Sequence, residues 1–519
     1  MGGGVTTPLA AEVATLRRQN IQLREENSYL SSRAAALEEE LRLLRNKIFG
    51  RRSEQLSSEE LKLAGLFDEA ELPPARVQQP DASVEVAAHS RGKPGRRPLP
   101  ADLPREEVIH DISEEEKTCS CCGAPLVRIR EETSEKLDIE PARMKVIRHI
   151  HPIYACKKCE EAQSMKIAPV PAQIIQKSIV TPGLLAFVLV AKFCDAIPFY
   201  RQEKQFARIG VELSRADFCH WAMEAALQCD PLIEIFIEQI RAGPVVQMDE
   251  TRVQVMNELD RANTTLSFMC VIRGGPPEKP VILFRYHPSR SASIPLLYLK
   301  DYKGFLQTDG YDGYAEVGSQ PGIIHAGSFA HVRRKFDEAG KASKNAGSAH
   351  EALGRIAKIY RIERDLRAQN LSLGEFLQQR RHQVLPILED LRQWLEAKNS
   401  QVPPSVLLGK AVGYARTQWP KLLRYLDSPY LTPDTNFVEN SIRPFVIGRR
   451  NWLFSGSPRG AHSSATLYSL IETARANSIE PYRYLRHLFT KLPLAQRRED
   501  YLALTPQHLD QADFEKTSL

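Results

Sequence analysis

Long hydrophobic runs are missing from this chain. The longest, Leu184 to Ala191, stops at Lys192, far short of the roughly 20 apolar residues that cross a bilayer, so no helical membrane span is expected. Met1-Gly2-Gly3-Gly4 leads into a charged segment, which is not the pattern of a cleavable signal; the expectation is a soluble, cytoplasmic protein. An excess of one charge sign is also missing. Seventy Lys and Arg stand against 64 Asp and Glu, a formal +6, which permits a nucleic-acid partner without demanding one. Cysteine is scarce, nine in 519 residues, and that excludes a disulfide-stapled secreted scaffold. The length accommodates at least three domains.

What is present begins with heptads. Leucine recurs at Leu9, Leu16, Leu23, Leu30, Leu37 and Leu44, with Val13, Asn20, Asn27, Ala34, Leu41 and Ile48 at the alternate seam positions. This spacing predicts a leucine-zipper coiled coil over residues 9–48. Asparagine in a seam weakens it but favours a paired, in-register parallel dimer, so a homodimer or larger assembly is expected. The competing reading is an amphipathic helix packed on its own domain.

Residues 49–104 lose this periodicity and turn rich in Pro, Ala, Glu and Gln, as a linker does. Inside it, Lys93, Arg96 and Arg97 belong to a basic segment able to lie along DNA phosphates; a merely solvated linker is the alternative. Residues 105–170 come next as a zinc-binding, ribbon-like module. Cys119 and Cys122, then Cys156 and Cys159, form two CxxC pairs on either side of a strand-like stretch. Four thiolates so spaced suit one structural Zn²⁺ held tetrahedrally, with Cys121 a bystander or an exchange partner of Cys119. A redox pair is the rival reading.

Residues 178–242 are helical in pattern. A helix-turn-helix fits Gln202 to Glu224: a first helix to Ile209, a turn at Gly210-Val211-Glu212-Leu213, and Ser214 capping a second helix that carries Arg215, Asp217, His220 and Trp221. Arg215 and His220 are the candidate DNA contacts there, although a plain helical hairpin shares the pattern.

Three acidic residues stand in well-marked surroundings: Asp249 in Val245-Val246-Gln247-Met248-Asp249-Glu250-Thr251, Asp309 in Gln307-Thr308-Asp309-Gly310-Tyr311, and Glu439 in Asn436-Phe437-Val438-Glu439-Asn440. The first two come after β-branched or apolar runs and are expected at the ends of buried strands; the third opens a helix-compatible stretch. That is how an RNase-H-like core gathers its carboxylates. Strands are expected over Pro244 to Met256, Leu266 to Ile272 and Val281 to Tyr286. The long interval from Asp309 to Glu439 calls for an insertion at about 340–430, and Ala349 to Lys398 is helical in composition. Mg²⁺ or Mn²⁺ takes hard oxygen ligands and leaves room for substrate phosphate, so three carboxylates suit a two-ion phosphoryl-transfer site. Arg333, Arg334 and Lys335 beside His331, and Arg443, Arg449 and Arg450 after Glu439, are candidate phosphate contacts, with Trp452 and Phe454 interleaved. Glu472 is the strongest rival of Glu439 for the third ligand.

These words resemble the IS66 family of bacterial insertion-sequence transposases, most specifically through Asn436-Phe437-Val438-Glu439-Asn440-Ser441-Ile442-Arg443-Pro444, Gly448-Arg449-Arg450-Asn451-Trp452-Leu453-Phe454 and Leu467-Tyr468-Ser469-Leu470-Ile471-Glu472-Thr473-Ala474. One departure lies at Ser328-Phe329, where the family usually reads Cys-Trp. The resemblance covers nearly the whole chain and implies a multidomain α/β protein: coiled coil, zinc module, helix-turn-helix region, and an RNase-H-like domain over 244–475 with Asp249, Asp309 and Glu439 as its catalytic triad, then a helical tail over 476–519. It implies binding of the element's DNA ends, metal-dependent strand cleavage and transfer, two small accessory proteins encoded by the same element, and residence with the bacterial nucleoid. Two other readings stay open. One is a catalytically inactive DNA-binding regulator; the other is a stand-alone RNase-H-like nuclease.

Overall fold

The computed structural model describes residues 170–342, 347–509 and Phe514, short stretches at 144–154 and 166–167, and scattered positions between Gln19 and Arg42. The chain divides into two units, 76–170 and the remainder. In the smaller unit, strand β1 (Ile153–Tyr154) pairs antiparallel with β2 (Lys166–Ile167). Cys119, Cys122, Cys156 and Cys159 lie outside the described residues, as do Lys93, Arg96 and Arg97. The described positions between Gln19 and Arg42 are helical, and Leu23, Leu30 and Leu37 are more than half exposed.

From Pro171 onward the larger unit begins with four helices. Thr181 caps α1 (Pro182–Phe193) by accepting from the Leu184 amide at 3.2 Å. Helices α2 (Phe199–Arg208) and α3 (Arg215–Gln228) flank a turn in which Gly210 takes φ +80°, a backbone state that costs glycine little. Ser214 and Asp217 close a reciprocal capping box at the start of α3. Asp217 is therefore committed to the cap and Trp221 is buried in the core, while Arg215 and His220 stand exposed on α3. Helix α4 (Asp230–Ala242) leads into the sheet.

Strands β3 (Val245–Gln254), β4 (Leu266–Gly274) and β5 (Val281–His287) form an antiparallel meander. Helix α5 (Ser293–Tyr298) then crosses back to β6 (Gly304–Gln307), which lies parallel to β3. After α6 (Ala315–Gly318), β7 (Ile323–Ala326) lies parallel to β6. The strand order is β5-β4-β3-β6-β7. Asp249 falls in the middle of β3 rather than at a strand end, because β3 runs on to Gln254 in register with β4.

Four helices occupy the interval in which the insertion is expected. Helices α7 (Phe329–Ala342), α8 (Gly347–Arg367), α9 (Leu373–Gln401) and α10 (Leu407–Leu423) pack around their own core, which includes Phe336, Ile356, Leu388, Leu391 and Val412. The chain returns through α11 (Asn436–Trp452), which packs on β3 and β4, and α12 (Pro458–Ala476), which lies along β5. Strand β5 is an edge, and unpaired edge amides are costly when buried. Here the α12 hydroxyls satisfy them: the Ile282 amide donates to Thr473 Oγ1 at 3.0 Å and the Phe284 amide to Ser469 Oγ at 2.8 Å. The C-terminal segment folds back into the main core, with α13 (Pro481–Lys491) on α1 and α14 (Arg498–Ala503) on α4. Among the described residues no helix is long and apolar enough to cross a membrane.

One buried cation ties the insertion to the segment leading into α11. Arg380 of α9 is fully buried and donates to the carbonyls of Tyr425 (3.0 Å), Ser428 (2.7 Å) and Leu431 (3.0 Å), and to Glu363 (2.8 Å). Arg367 adds bonds to Glu363 at 2.8 Å and to the Pro429 and Leu431 carbonyls at 3.1 Å. Without Arg380 the Tyr425 and Ser428 carbonyls lose this donor, while Glu363 and the Leu431 carbonyl keep Arg367. Arg380→Leu is expected to lower stability in urea unfolding by about 3 kcal/mol, the low end for breaking a buried pair. A loss under about 1 kcal/mol would contradict this role.

Candidate active site

The sheet register sets the site. Gln247 of β3 stands opposite Gln307 of β6 in a parallel pair. Side chains alternate along a strand, so Asp249 emerges on the same face as Gln247, and Asp309 lies two residues beyond Gln307, just past the end of β6. Both glutamines are buried and joined, Gln247 Nε2 donating to Gln307 Oε1 at 2.9 Å. Gln307 Nε2 also donates to the Gly327 carbonyl at 3.1 Å and the Thr432 carbonyl at 2.7 Å, and Gln247 Nε2 to the Asp434 carbonyl at 3.3 Å. These bonds dock the segment that begins α11 against the two strands carrying the aspartates.

Asp434 then starts the helix. Its carboxylate accepts from the Asn436 amide at 3.1 Å and from Asn436 Nδ2 at 2.8 Å, occupying a donor left free at a helix N-terminus. Burial pushes Asp434 up to about 6, although these bonds oppose the shift. Glu439 lies in the first turn of α11. Three carboxylates thus reach one region from three elements held by a single buried polar network.

Their mutual field is visible at Asp249. Burial, first, and then the charges of Glu439 and Asp309 raise its carboxyl to about 7, against the pull of His331 and Arg290. Glu439 and Asp309 therefore lie close enough to Asp249 for their charges to add to the effect of burial. Asp249 Oδ1 accepts from the Glu250 amide at 2.8 Å, and Asp309 Oδ1 from the Tyr311 amide at 3.0 Å. Glu439 behaves oppositely. Burial raises it, but the hydrogen bond and charge of His331, together with Arg334 and Thr435, outweigh burial and hold it down at about 2. His331 Nε2 lies 3.4 Å from Oε1, Arg334 3.4 Å from Oε2, and Thr435 Oγ1 donates to Oε1 at 3.1 Å.

Arg290 carried no signal in the sequence. It pairs with Glu250, stacks on the Tyr311 ring at 3.5 Å and lies 4.0 Å from Asp309 Oδ2, bracing the Asp309 turn. The glutamines had a readable trace, since Gln247-Met248-Asp249 and Gln307-Thr308-Asp309 repeat a Gln-x-Asp spacing.

The other candidate residues separate by their surroundings. Arg334 turns to Glu439, whereas Lys335 lies 4.7 Å from the Tyr414 ring. Arg333 is one of the charges acting on Asp434. Arg449 is half-buried and donates to Thr251 Oγ1 at 3.2 Å, fixing α11 to β3, while Arg443 and Arg450 are exposed on α11. Trp452 packs on Phe445 with ring centroids 5.4 Å apart, and Phe454 is exposed. Glu472 is buried in α12 and paired with Arg475 at 3.0 Å. At the departure from the family pattern, Ser328 and Phe329 are buried: Ser328 Oγ accepts from Thr435 at 3.2 Å and Phe329 packs edge-on to Tyr425.

Oxygen donors, net negative charge and an under-compensated buried Asp249 are the chemistry that suits Mg²⁺ or Mn²⁺. Among the described residues no three His, Cys, Asp or Glu side chains are disposed as a finished metal cage.

Comparison with known proteins covers nearly the whole chain. A model described as the transposase IS66 family matches residues 177–463, and the zinc-finger binding domain of transposase IS66 matches 116–160, spanning all four CxxC cysteines. Residues 36–108 match a model described as transposase C of IS166 homeodomain, and 469–507 match the IS66 C-terminal element. Among relatives from Sinorhizobium fredii (strain NBRC 101917 / NGR234), the uncharacterized protein y4jD is 32% identical over 486 residues, 91% of this chain and 94% of its own length. The uncharacterized protein y4qI is 29% identical over 512 residues, 96% and 92% of the two chains.

The Asp249 shift has a thermal signature. Its folded value near 7 stands above the ordinary 3.8, so its contribution to metal-free stability is whole below about pH 4 and is lost as pH rises through about 7. Asp249→Asn is expected to match the parent in melting temperature near pH 4 and to gain a growing advantage that levels off above about pH 8. Parallel melting curves for the two proteins across this range, by scanning calorimetry in chelator, would contradict the shift.

Proposed function

The chain belongs to the IS66 transposase family, and on that premise we propose that it cuts and joins DNA strands at the ends of its own mobile element. Asp249, Asp309 and Glu439 are its catalytic carboxylates. The observation that carries this reading is the placement of Asp249 on β3, Asp309 just past β6 and Glu439 in the first turn of α11, with the charges of Glu439 and Asp309 adding to burial in raising Asp249. The strand order β5-β4-β3-β6-β7, antiparallel over the first three strands and parallel over the last three, supports an RNase-H-like core with the acids on β3, after β6 and on α11.

In this reading the three carboxylates hold two Mg²⁺ or Mn²⁺ ions. Such ions, when bound, activate the attacking water or 3′-hydroxyl and neutralise the leaving oxygen. The chain's own residues do the rest. Asp249 and Asp309 supply hard oxygens from a rigid sheet, and the Arg290 stack holds the Asp309 turn. Arg443 and Arg450 on the exposed face of α11 contact the strand's phosphates, with Arg449 bracing that helix. Arg333, Arg334 and Lys335 do so from α7. Phosphate contacts position the strand without reading its sequence.

Sequence reading then falls to other parts. Arg215 and His220 are exposed on α3, whose capped helix-turn-helix geometry suits a major groove. Cys119, Cys122, Cys156 and Cys159 hold a structural Zn²⁺, Lys93, Arg96 and Arg97 add phosphate contacts, and the heptad leucines pair two copies so that two element ends meet. The family's two small accessory proteins are expected partners, in a bacterial cytoplasm beside the nucleoid.

The test is nicking of a duplex that carries the element's terminal repeats. Cleavage that requires Mg²⁺ or Mn²⁺ and falls to the no-protein background in Asp249→Ala, Asp309→Ala and Glu439→Ala, with duplex binding kept, is the expected result. Binding without nicking under either metal would make the chain a DNA-binding regulator. Cleavage indifferent to the repeats would make it a general nuclease.

A further inference from the structure

We propose that Arg334 is a shared cation that passes between Glu439 and a DNA phosphate, so that docking of DNA opens the carboxylate site to divalent metal. The proposal rests on the reading of Asp249, Asp309 and Glu439 as metal ligands and adds a coupling to it.

The geometry lies on one face of α7. His331 and Arg334 are three residues apart, a spacing that aligns side chains on a helix, and they engage different oxygens of Glu439: Oε1 by His331 and Oε2 by Arg334, each at 3.4 Å. Their settings differ. The His331 side chain is only 18% exposed, whereas that of Arg334 is 57% exposed. His331 is therefore walled in, and Arg334 reaches Glu439 from solvent and is able to leave. The neighbouring cations have other partners, Lys335 being set over Tyr414 and Arg333 acting on Asp434.

Glu439 Oε2 binds a metal ion less tightly while it holds the Arg334 guanidinium, because two cations beside one oxygen repel and share its lone pairs. A phosphate oxygen offers Arg334 a charge-assisted, two-pronged alternative. By linkage, whatever draws Arg334 off Glu439 raises metal affinity, and metal on Glu439 raises the affinity of Arg334 for phosphate by the same factor. The site then loads fully only on DNA, which limits stray cutting.

The experiment measures Mn²⁺ binding to the full, DNA-free chain by titration calorimetry; Mn²⁺ prefers oxygen ligands over the thiolates of the zinc module. Affinity for a duplex of arbitrary sequence is measured separately in chelator. Arg334→Ala is expected to bind Mn²⁺ roughly two- to fivefold more tightly than the parent, the scale of a solvent-exposed ion pair, and to bind the duplex more weakly. Lys335→Ala, which removes the same charge from the next position, is the control for net charge and is expected to shift Mn²⁺ affinity less than Arg334→Ala does. Equal or weaker Mn²⁺ binding by Arg334→Ala overturns the proposal. So does equal tightening in both variants, which would reduce the effect to net charge. Asp249→Asn is the separate control: it abolishes Mn²⁺ binding if the carboxylates are the ligands. Should it bind like the parent, the carboxylate reading itself fails, and the coupling with it.

Discussion

The paired amides of Gln247 and Gln307 are the contact on which the carboxylate geometry depends. Two buried side chains, in register on neighbouring parallel strands, bond to each other and to the carbonyls of Gly327, Thr432 and Asp434. Buried amides left without partners are expensive, so the network tolerates little slippage. A one-residue shift of β6 against β3 would turn Gln307 to the opposite face, and the segment preceding α11 would lose its anchor. Fixing β3, β6 and the start of α11 in one frame forces three like charges together. At Asp249 burial, first, and then the charges of Glu439 and Asp309 raise the carboxyl.

The insertion carries that frame outward. Arg380 and Arg367 gather the carbonyls of Tyr425 to Leu431, and the chain passes from there directly into Thr432 and Asp434. Helices α7 to α10 are thus more than a spacer: α7 brings His331 and Arg334 to Glu439, and α9 pins the approach to α11. The result is a polar spine running from the insertion core to the sheet, with the candidate catalytic carboxylates along it.

Much of this was legible in local pattern. The β-branched runs bounded by turn residues marked β4 and β5, Ser214 marked the start of α3, and the Leu-, Arg- and Glu-rich stretch after Ala349 marked the insertion helices. The three acids stood out because each sat in a distinctive word. What did not show were contacts made across long stretches of chain. Nothing near Arg290 or Arg380 signals that one stacks on Tyr311 or that the other collects carbonyls 45 to 51 residues away. The strand expected over Pro244 to Met256 is present as Val245–Gln254, and its pairing with β4 puts Asp249 at mid-strand rather than at an end. Trp221, placed on the same helix as Arg215 and His220, joins Phe218 in the core, since side chains three apart share a helix face.

The central claim is that Asp249, Asp309 and Glu439 form one divalent-metal site. Anomalous scattering from crystals of the protein bound to DNA and soaked in Mn²⁺ addresses it most directly. The account predicts a manganese peak bounded by these three carboxylates and lost in Asp249→Asn. A peak elsewhere on the chain, with none between these side chains, would contradict it.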